Sequence, residues 1–318
     1  MTGGLGNQMF IYAFYMRMKR QYADTRIDLS DMVHYQAHNG YELHRIFPDL
    51  PQEEFCINQK AKKVIEFLFF KTILERHQRQ DSLTPFFGRR LWPLVYFKGF
   101  YQSERFFADT ADDVRRAFTF RPELACEKTR RLLAVIDADP TAVSIHVRRG
   151  DYLQPSVWRN TGCVCNTAYY HDAVAAVVRR VADAHFYVFS DDIGWTTANL
   201  RLSNATYVDW NHAQDSWQDM MLMSHCRHNI ICNSTFSWWG AWLNRHSDKV
   251  VAAPGRWSAL AEMPNICPAD WLRIPVSPDA GQPAPKAWGE KPESRRKKPL
   301  AALCAPQTNR TFATIKQR

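Results

Sequence analysis

The sequence predicts an α/β protein built on a parallel sheet, and three observations carry that prediction. From residue 141 onward, apolar runs of strand length alternate with runs of helix length. The first of those strands, 142–147, places Val143, Ile145 and Val147 at alternate positions and leads to Gly150. Each strand is followed by polar residues. Arg148, Arg149 and Asp151 follow the first, and Ser190, Asp191 and Asp192 the second. Asp209 and Asn211 follow the third, and Asn233, Ser234, Thr235 and Ser237 the fourth. In open α/β sheets ligands bind outside the carboxyl ends of the strands, so these four ends point to one site.

The chain opens on Gly3-Gly4-Leu5-Gly6-Asn7-Gln8, and then Met9, Phe10, Ala13, Phe14, Met16 and Met18 recur at roughly helical spacing. This reads as a glycine turn feeding a helix over 9–20, with Asn7 as its N-cap. Such a turn either lets backbone N–H groups approach a ligand or is simply a tight packing turn. A strand normally precedes it in a Rossmann-type unit, so the first half reads as one strand short. Strands are expected at 25–29 and 92–101, and helices at 60–79, 106–118 and 123–136. Pro140 stops the last of these and sets a domain boundary. Beyond it, strands at 142–147, 186–189, 206–208, 229–232 and 250–253 alternate with helices at 167–182, 195–200, 215–224 and 236–245. Pro278, Pro283, Pro285, Pro292 and Pro299 punctuate a polar, basic segment and mark 276–318 as a disordered tail. The expected units are therefore 1–139, 140–275 and the tail.

Composition narrows the function. The 318 residues, 46% hydrophobic, suffice for two ordinary domains, each with a core. The formal charge of +9 includes the tail run Arg295, Arg296, Lys297 and Lys298, so the folded part is only mildly basic. That suits an anionic small ligand or an acidic membrane surface. No basic stripe is interleaved with aromatics on one element, which argues against nucleic acid. The eight cysteines are scattered, with only Cys163 and Cys165 close together, so free thiols are expected rather than a zinc site. No apolar run is long enough to span a bilayer, and the start lacks the pattern of a signal peptide. The expectation is a soluble cytoplasmic protein, with peripheral contact to the inner membrane as a variant. No Walker pattern and no complete G-x-G-x-x-G occurs, so ATP hydrolysis and nicotinamide chemistry lack their marks.

Within the strand ends, arginines and a carboxylate are costly to desolvate unless paired. Arg148 and Arg149 either grip a diphosphate through bidentate guanidinium contacts or form an internal network with Asp151. The hydroxyls around Ser234 and Thr235 either cap the following helix or donate to a phosphate at its N-terminus. Trp238 and Trp242, four apart, share a helix face, while Trp239 and Trp242 read as core. Ser190-Asp191-Asp192 offers paired carboxylates to a divalent metal, but a helix cap with Ser190 or Asp191 at the N-cap is preferred.

Taken together these motifs resemble glycosyltransferase family 11, the α-1,2-fucosyltransferases. The stretches concerned are GGLGNQMF at 3–10, GFYQSERFF at 99–107, SIHVRRGDY at 144–152, FSDDIGW at 189–195 and NSTFSWWGAWLN at 233–244. The resemblance implies a GT-B-like fold of two Rossmann-type parallel-sheet halves facing across a cleft, the N-terminal one on the acceptor side. It implies fucose transfer from GDP-fucose to the 2-hydroxyl of a galactose-terminated oligosaccharide or lipid-linked glycan, with inversion, in surface glycan or O-antigen synthesis. No metal and no further cofactor is implied. His146, Arg148 and Asp151 are placed at the chemistry by the shared His-x-Arg-Arg-x-Asp element, with Arg148 first for the phosphate. Arg148, Arg149, Asp192, Asn233, Ser234, Thr235, Ser237 and Trp238 fall to the donor, and Gly4, Gly6, Asn7 and Gln8 to the acceptor side. No glutamate lies between Glu127 and Glu262, so a base in this half is an aspartate. Asp151 is the candidate, although an aspartate paired with arginine is a poor base and can serve to orient instead. The alternatives are a GT-B enzyme with another nucleotide sugar or acceptor, and a non-catalytic nucleotide- or glycan-binding homologue.

Overall fold

The computed structural model describes residues 1–33, 35, 38–58, 60, 62–64, 71–74 and 95–278. The chain begins with helix α1 (Leu5–Gln21), and Met1 lies beside strand β1 (Ile27–Asp28), its amino group donating to the Asp28 carbonyl at 2.6 Å. The short helix α2 (Leu43–Ile46) follows, then β2 (Glu54–Phe55), β3 (Lys71–Leu74) and β4 (Val95–Lys98). Helices α3 (Ala111–Ala117) and α4 (Glu127–Ala138) complete the first half. Its described strands form two separate parallel pairs, β1 with β2 and β3 with β4, and no described strand precedes α1. Two expectations need correction here. Strand pairing of 71–74 with 95–98 replaces those residues of the helix expected over 60–79, because a long-range ladder outweighs local helical spacing, and 75–79 lie outside the described residues. The helix expected from residue 9 already starts at Leu5 with Gly4 at its N-cap, so Asn7 lies inside it.

The second half is the regular one. In chain order it comprises β5 (Ala142–Val147), α5 (Thr167–Val178), β6 (His185–Ser190), α6 (Ile193–Leu200) and β7 (Ala205–Val208). Then come α7 (Trp217–His225), β8 (His228–Ile230), α8 (Thr235–Leu243), β9 (Val251–Pro254) and β10 (Leu272–Ile274). All six strands are parallel, in the order β10-β9-β8-β5-β6-β7. Counted within this half, that is the doubly wound order 3-2-1-4-5-6, and its direction reverses between β5 and β8. The α/β, GT-B-like expectation holds, with one strand more than the sequence suggested. β10 has only three residues, one of them the exposed Arg273, and its pairing with β9 defines it.

Every residue of β5 is buried, because the sheet is covered on both faces. Val143, Ile145 and Val147 pack with Tyr169, Tyr170 and Val177 of α5. On the other face Ser144 Oγ accepts from Asn229 Nδ2 at 2.7 Å, and His146 reaches Cys232. α4 is tied to this half, since Thr129 Oγ1 donates to Asn211 Oδ1 (3.1 Å) and Gln218 Oε1 accepts from Cys126 N (3.0 Å). At the boundary Asp139 caps the turn through Thr141 N (2.9 Å) and takes Tyr187 Oη (2.9 Å).

One aromatic core joins the halves. Phe10 of α1 meets Trp238 and Trp239 of α8 at ring distances of 4.5 and 4.9 Å, and Phe107 stacks on Trp239. Trp239 Nε1 donates to the Gly6 carbonyl at 2.9 Å. Seven of the eight cysteines are described, and no disulfide joins any of them. Among the described residues no helix is long and apolar enough to cross a membrane. The segment 279–318, nearly all of the expected tail, lies outside the described residues.

Candidate active site

The reversal between β5 and β8 brings the carboxyl ends of those strands side by side, and there the candidate residues gather. Arg148 leaves β5 partly exposed, with two carboxylates around it. Its Nε and Nη2 both donate to Asp151 Oδ1 (2.8 and 2.6 Å), and its Nη1 lies 3.3 Å from Asp191 Oδ2. Burial works against the charge, but Asp191 and Asp151 outweigh it, and the guanidinium pKa is raised. Arg149 is buried and occupied elsewhere. Its Nε donates to Asp192 Oδ2 at 3.0 Å, and its guanidinium lies 3.8 Å over the Trp195 ring. Of the two arginines, Arg148 makes the contact with Asp151 and still keeps a solvent-facing side, while Arg149 is paired internally with Asp192 instead.

His146 lies beneath them, 6% exposed, with Nδ1 3.3 Å from Cys232 Sγ. Burial, then the charge of Arg148, brings its pKa down to about 3, so the ring is neutral. Burial raises Cys232 to about 11, so it remains a thiol.

The end of β6 contributes Asp191 and Asp192, and here the structure corrects the expected cap. Asp192, rather than Ser190 or Asp191, caps α6: its Oδ1 accepts from Trp195 N at 3.1 Å, and Ser190 Oγ accepts from Asp192 N at 3.0 Å. Asp191 is thereby free to bridge, its Oδ1 accepting from Arg149 N (2.8 Å) while Oδ2 faces Arg148. The sequence places Asp191 at the strand end but gives it no catalytic or donor-binding role. The only available signal was the acidic pair itself, and a one-residue shift of the cap decides which carboxylate turns to the arginine. Among the described residues no group of three or more His, Cys, Asp or Glu side chains is placed to hold a metal ion.

The end of β8 carries the third group. Asn233 is buried, with Nδ2 donating to the carbonyls of Thr161 and Trp257 (both 2.9 Å), and its Oδ1 is buried without a hydrogen-bond partner. Ser234 caps α8, its Oγ accepting from Phe236 N at 3.3 Å. Tyr152 Oη donates to the Asn233 carbonyl at 3.0 Å, tying this end to the end of β5. Ser237 is fully buried and donates back to the carbonyls of Ser234 and Cys232. Trp238 is fully buried too. It stacks on Trp242 at 6.0 Å and 11°, and its Nε1 donates to the Ile266 carbonyl (2.7 Å). The structure thus brings Ser234 and Thr235 to the site edge and puts Ser237 and Trp238 in the core behind it.

From the first half, the opening turn of α1 meets this edge. A Cβ on Gly6 would stand 2.6 Å from the Thr235 carbonyl carbon, so Gly6 is there because two helices touch. Gly4 faces the His38 ring, 3.3 Å from its would-be Cβ. Gln8 is fully buried and braces the neighbouring loop. Its Nε2 donates to the carbonyls of Gly3 (3.0 Å) and Gly40 (2.7 Å), and its Oε1 accepts from Glu42 N (2.9 Å). Asn7 is half-buried, with Oδ1 accepting from Gln102 Nε2 at 2.7 Å. Tyr35 joins from the same half, its phenol pKa raised by burial and then by the charge of Asp151. A guanidinium, a helix N-terminus and nearby carboxylates at one sheet edge can hold an anionic group and receive a proton beside it.

The sequence is similar to those of known proteins. The family model described as Glycosyl transferase family 11 matches residues 1–273. An α-1,2-colitosyltransferase of Escherichia coli is 30% identical over 285 residues, covering 86% of this chain and 97% of its own. The O-antigen biosynthesis glycosyltransferase WbnK of Escherichia coli is 28% identical, covering 86% and 99%. Galactoside α-(1,2)-fucosyltransferase 1 of Ateles belzebuth is 33% identical over 183 residues, 51% of this chain and 50% of its own.

Proposed function

The chain belongs to glycosyl transferase family 11, and from that premise we propose that it transfers L-fucose from GDP-β-L-fucose, with inversion, to the 2-hydroxyl of a terminal galactoside. The observation that carries the reading is Arg148, a partly exposed guanidinium at the point where the strand order reverses, beside the N-terminus of α8. The acceptor oxygen attacks the anomeric carbon from the face opposite GDP. The carbon–oxygen bond to the diphosphate breaks, and negative charge grows on the leaving group. Arg148 and the N–H groups at the start of α8 stabilise that charge without a metal. The acceptor's proton goes to a carboxylate. Asp151 meets Arg148 through Oδ1 in both contacts. A diphosphate competes with it for the same N–H groups, so donor binding turns Asp151 toward the acceptor. Arg149, His146, Ser237 and Trp238 support this edge from behind. The acceptor is a galactose-terminated oligosaccharide or lipid-linked glycan of a surface polysaccharide.

The 30% identity to an α-1,2-colitosyltransferase supports a second reading, in which the transferred sugar is colitose, a fucose lacking its 3-hydroxyl. Incubation with GDP-fucose and lactose, with and without EDTA, followed by mass analysis, tests the first reading. Fucosylated lactose in both arms is the expected result. Product with GDP-colitose alone transfers the assignment to the second reading, and no product from either donor with any galactoside overturns both.

A further inference from the structure

The turn at 101–104 has no part in the mechanism above, yet it is strained. Tyr101 sits at φ +54, a left-handed conformation that an aromatic residue rarely adopts. It is 2% exposed and stacks on Phe14 at 3.9 Å and 15°, so packing holds the strain in place. Ser103 pins the far side of the turn, its Oγ donating to the Asn265 carbonyl at 2.6 Å. Between these anchors stands Gln102, whose Nε2 donates to Asn7 Oδ1 at 2.7 Å. Asn7 is confined from a second direction. Gly3, at φ +86, leaves its Nδ2 only 2.6 Å from where a Cβ would stand. Side chains in the first turn of a helix point back toward its N-terminus. For α1 that end adjoins Thr235 and the start of α8.

We infer that Gln102 is a positioning residue that fixes the Asn7 side-chain amide. By occupying Oδ1 it leaves the Nδ2 hydrogens as what Asn7 presents at the junction of the halves. The group they address is a hydroxyl of the sugar carried by the bound donor, and in this respect the inference rests on the function proposed above. Strain at Tyr101 is the means by which the chain delivers Gln102 to that position.

Steady-state kinetics and a double-mutant cycle test it. Gln102→Ala and Asn7→Ala each lower kcat about 10- to 100-fold, the scale expected from a misplaced group. The double variant is within about twofold of Asn7→Ala, because Gln102 acts only through Asn7. Gln102→Glu, which keeps the size but can only accept, loses as much as Gln102→Ala, and GDP affinity and melting temperature stay at the wild-type values in all. Wild-type turnover in Gln102→Ala, or losses that multiply in the double variant, overturn the inference. A wild-type protein inactive with every donor overturns the proposed function instead. The Asn7 side-chain NH2 resonances then still read the coupling: a shift in Gln102→Ala supports it, and unchanged resonances overturn it.

Discussion

The glycine segment at 3–8 and the strand-end segment at 146–151 are equally conspicuous in the sequence, but they do different physical work. At 146–151 the unusual residues are chemical, with Arg148 between two carboxylates and open on one side. At 3–8 most of them are mechanical. Gly6 permits helix contact with Thr235, Gln8 saturates buried backbone groups, and Asn7 is held at the edge by the side chain of Gln102. A motif of strong sequence character thus marks a position with little tolerance, and the reason for the intolerance differs between the two halves.

Substitutions that separate chemistry from packing sharpen this contrast. Arg148→Ala is expected to cost the most activity, about 100- to 1000-fold in kcat, as for loss of a charge-stabilising donor. Circular dichroism and melting temperature should remain near wild type, and wild-type turnover in this variant would break the assignment. Gly6→Ala inverts the pattern. Its Cβ meets Thr235 backbone that cannot yield, and about 1–3 kcal/mol of stability is lost, the usual scale of overpacking. Denaturant titration reads that loss, and an unchanged midpoint would show that the helices do not touch there. Arg149→Ala follows the pattern of Gly6→Ala. It strands Asp192 and uncovers Trp195, so stability falls by about 2–4 kcal/mol while kcat at saturating donor changes little.

The last effect is confined to acid. His146 is held at about 3 in the folded protein against its ordinary 6.5. Below pH 6.5 the unfolded chain takes up a proton that the native one refuses. Stability from this group is therefore complete above pH 6.5 and is lost as pH falls toward about 3. Melting temperature against pH, flattened across that window in His146→Asn, checks it.

Much of the second half was legible because its signals are local. Alternation in 142–147, a hydroxyl before the helix at Thr235 and polar residues after each strand arise from the pleat, the cap and the sheet edge. The i, i+4 spacing of Trp238 and Trp242 placed them on one face, where they do stack. Burial of Trp238 was less legible, since spacing gives the face of a helix but not what covers it. Asp191 and Asp192 were separable only by cap geometry, which depends on one residue of backbone path. The pairing of β3 with β4 and the left-handed Tyr101 have no local signature either.

The sequence by itself determined the α/β class, the strand ends on which ligands converge and the chemical groups available there, because hydrophobic period and residue type act over a few neighbours. Only the tertiary structure decided which groups face the site. Gly6 meets Thr235, Gln102 reaches Asn7 and Asp191 turns to Arg148 across separations that no local pattern encodes, and such contacts form only when packing brings distant segments of the chain together.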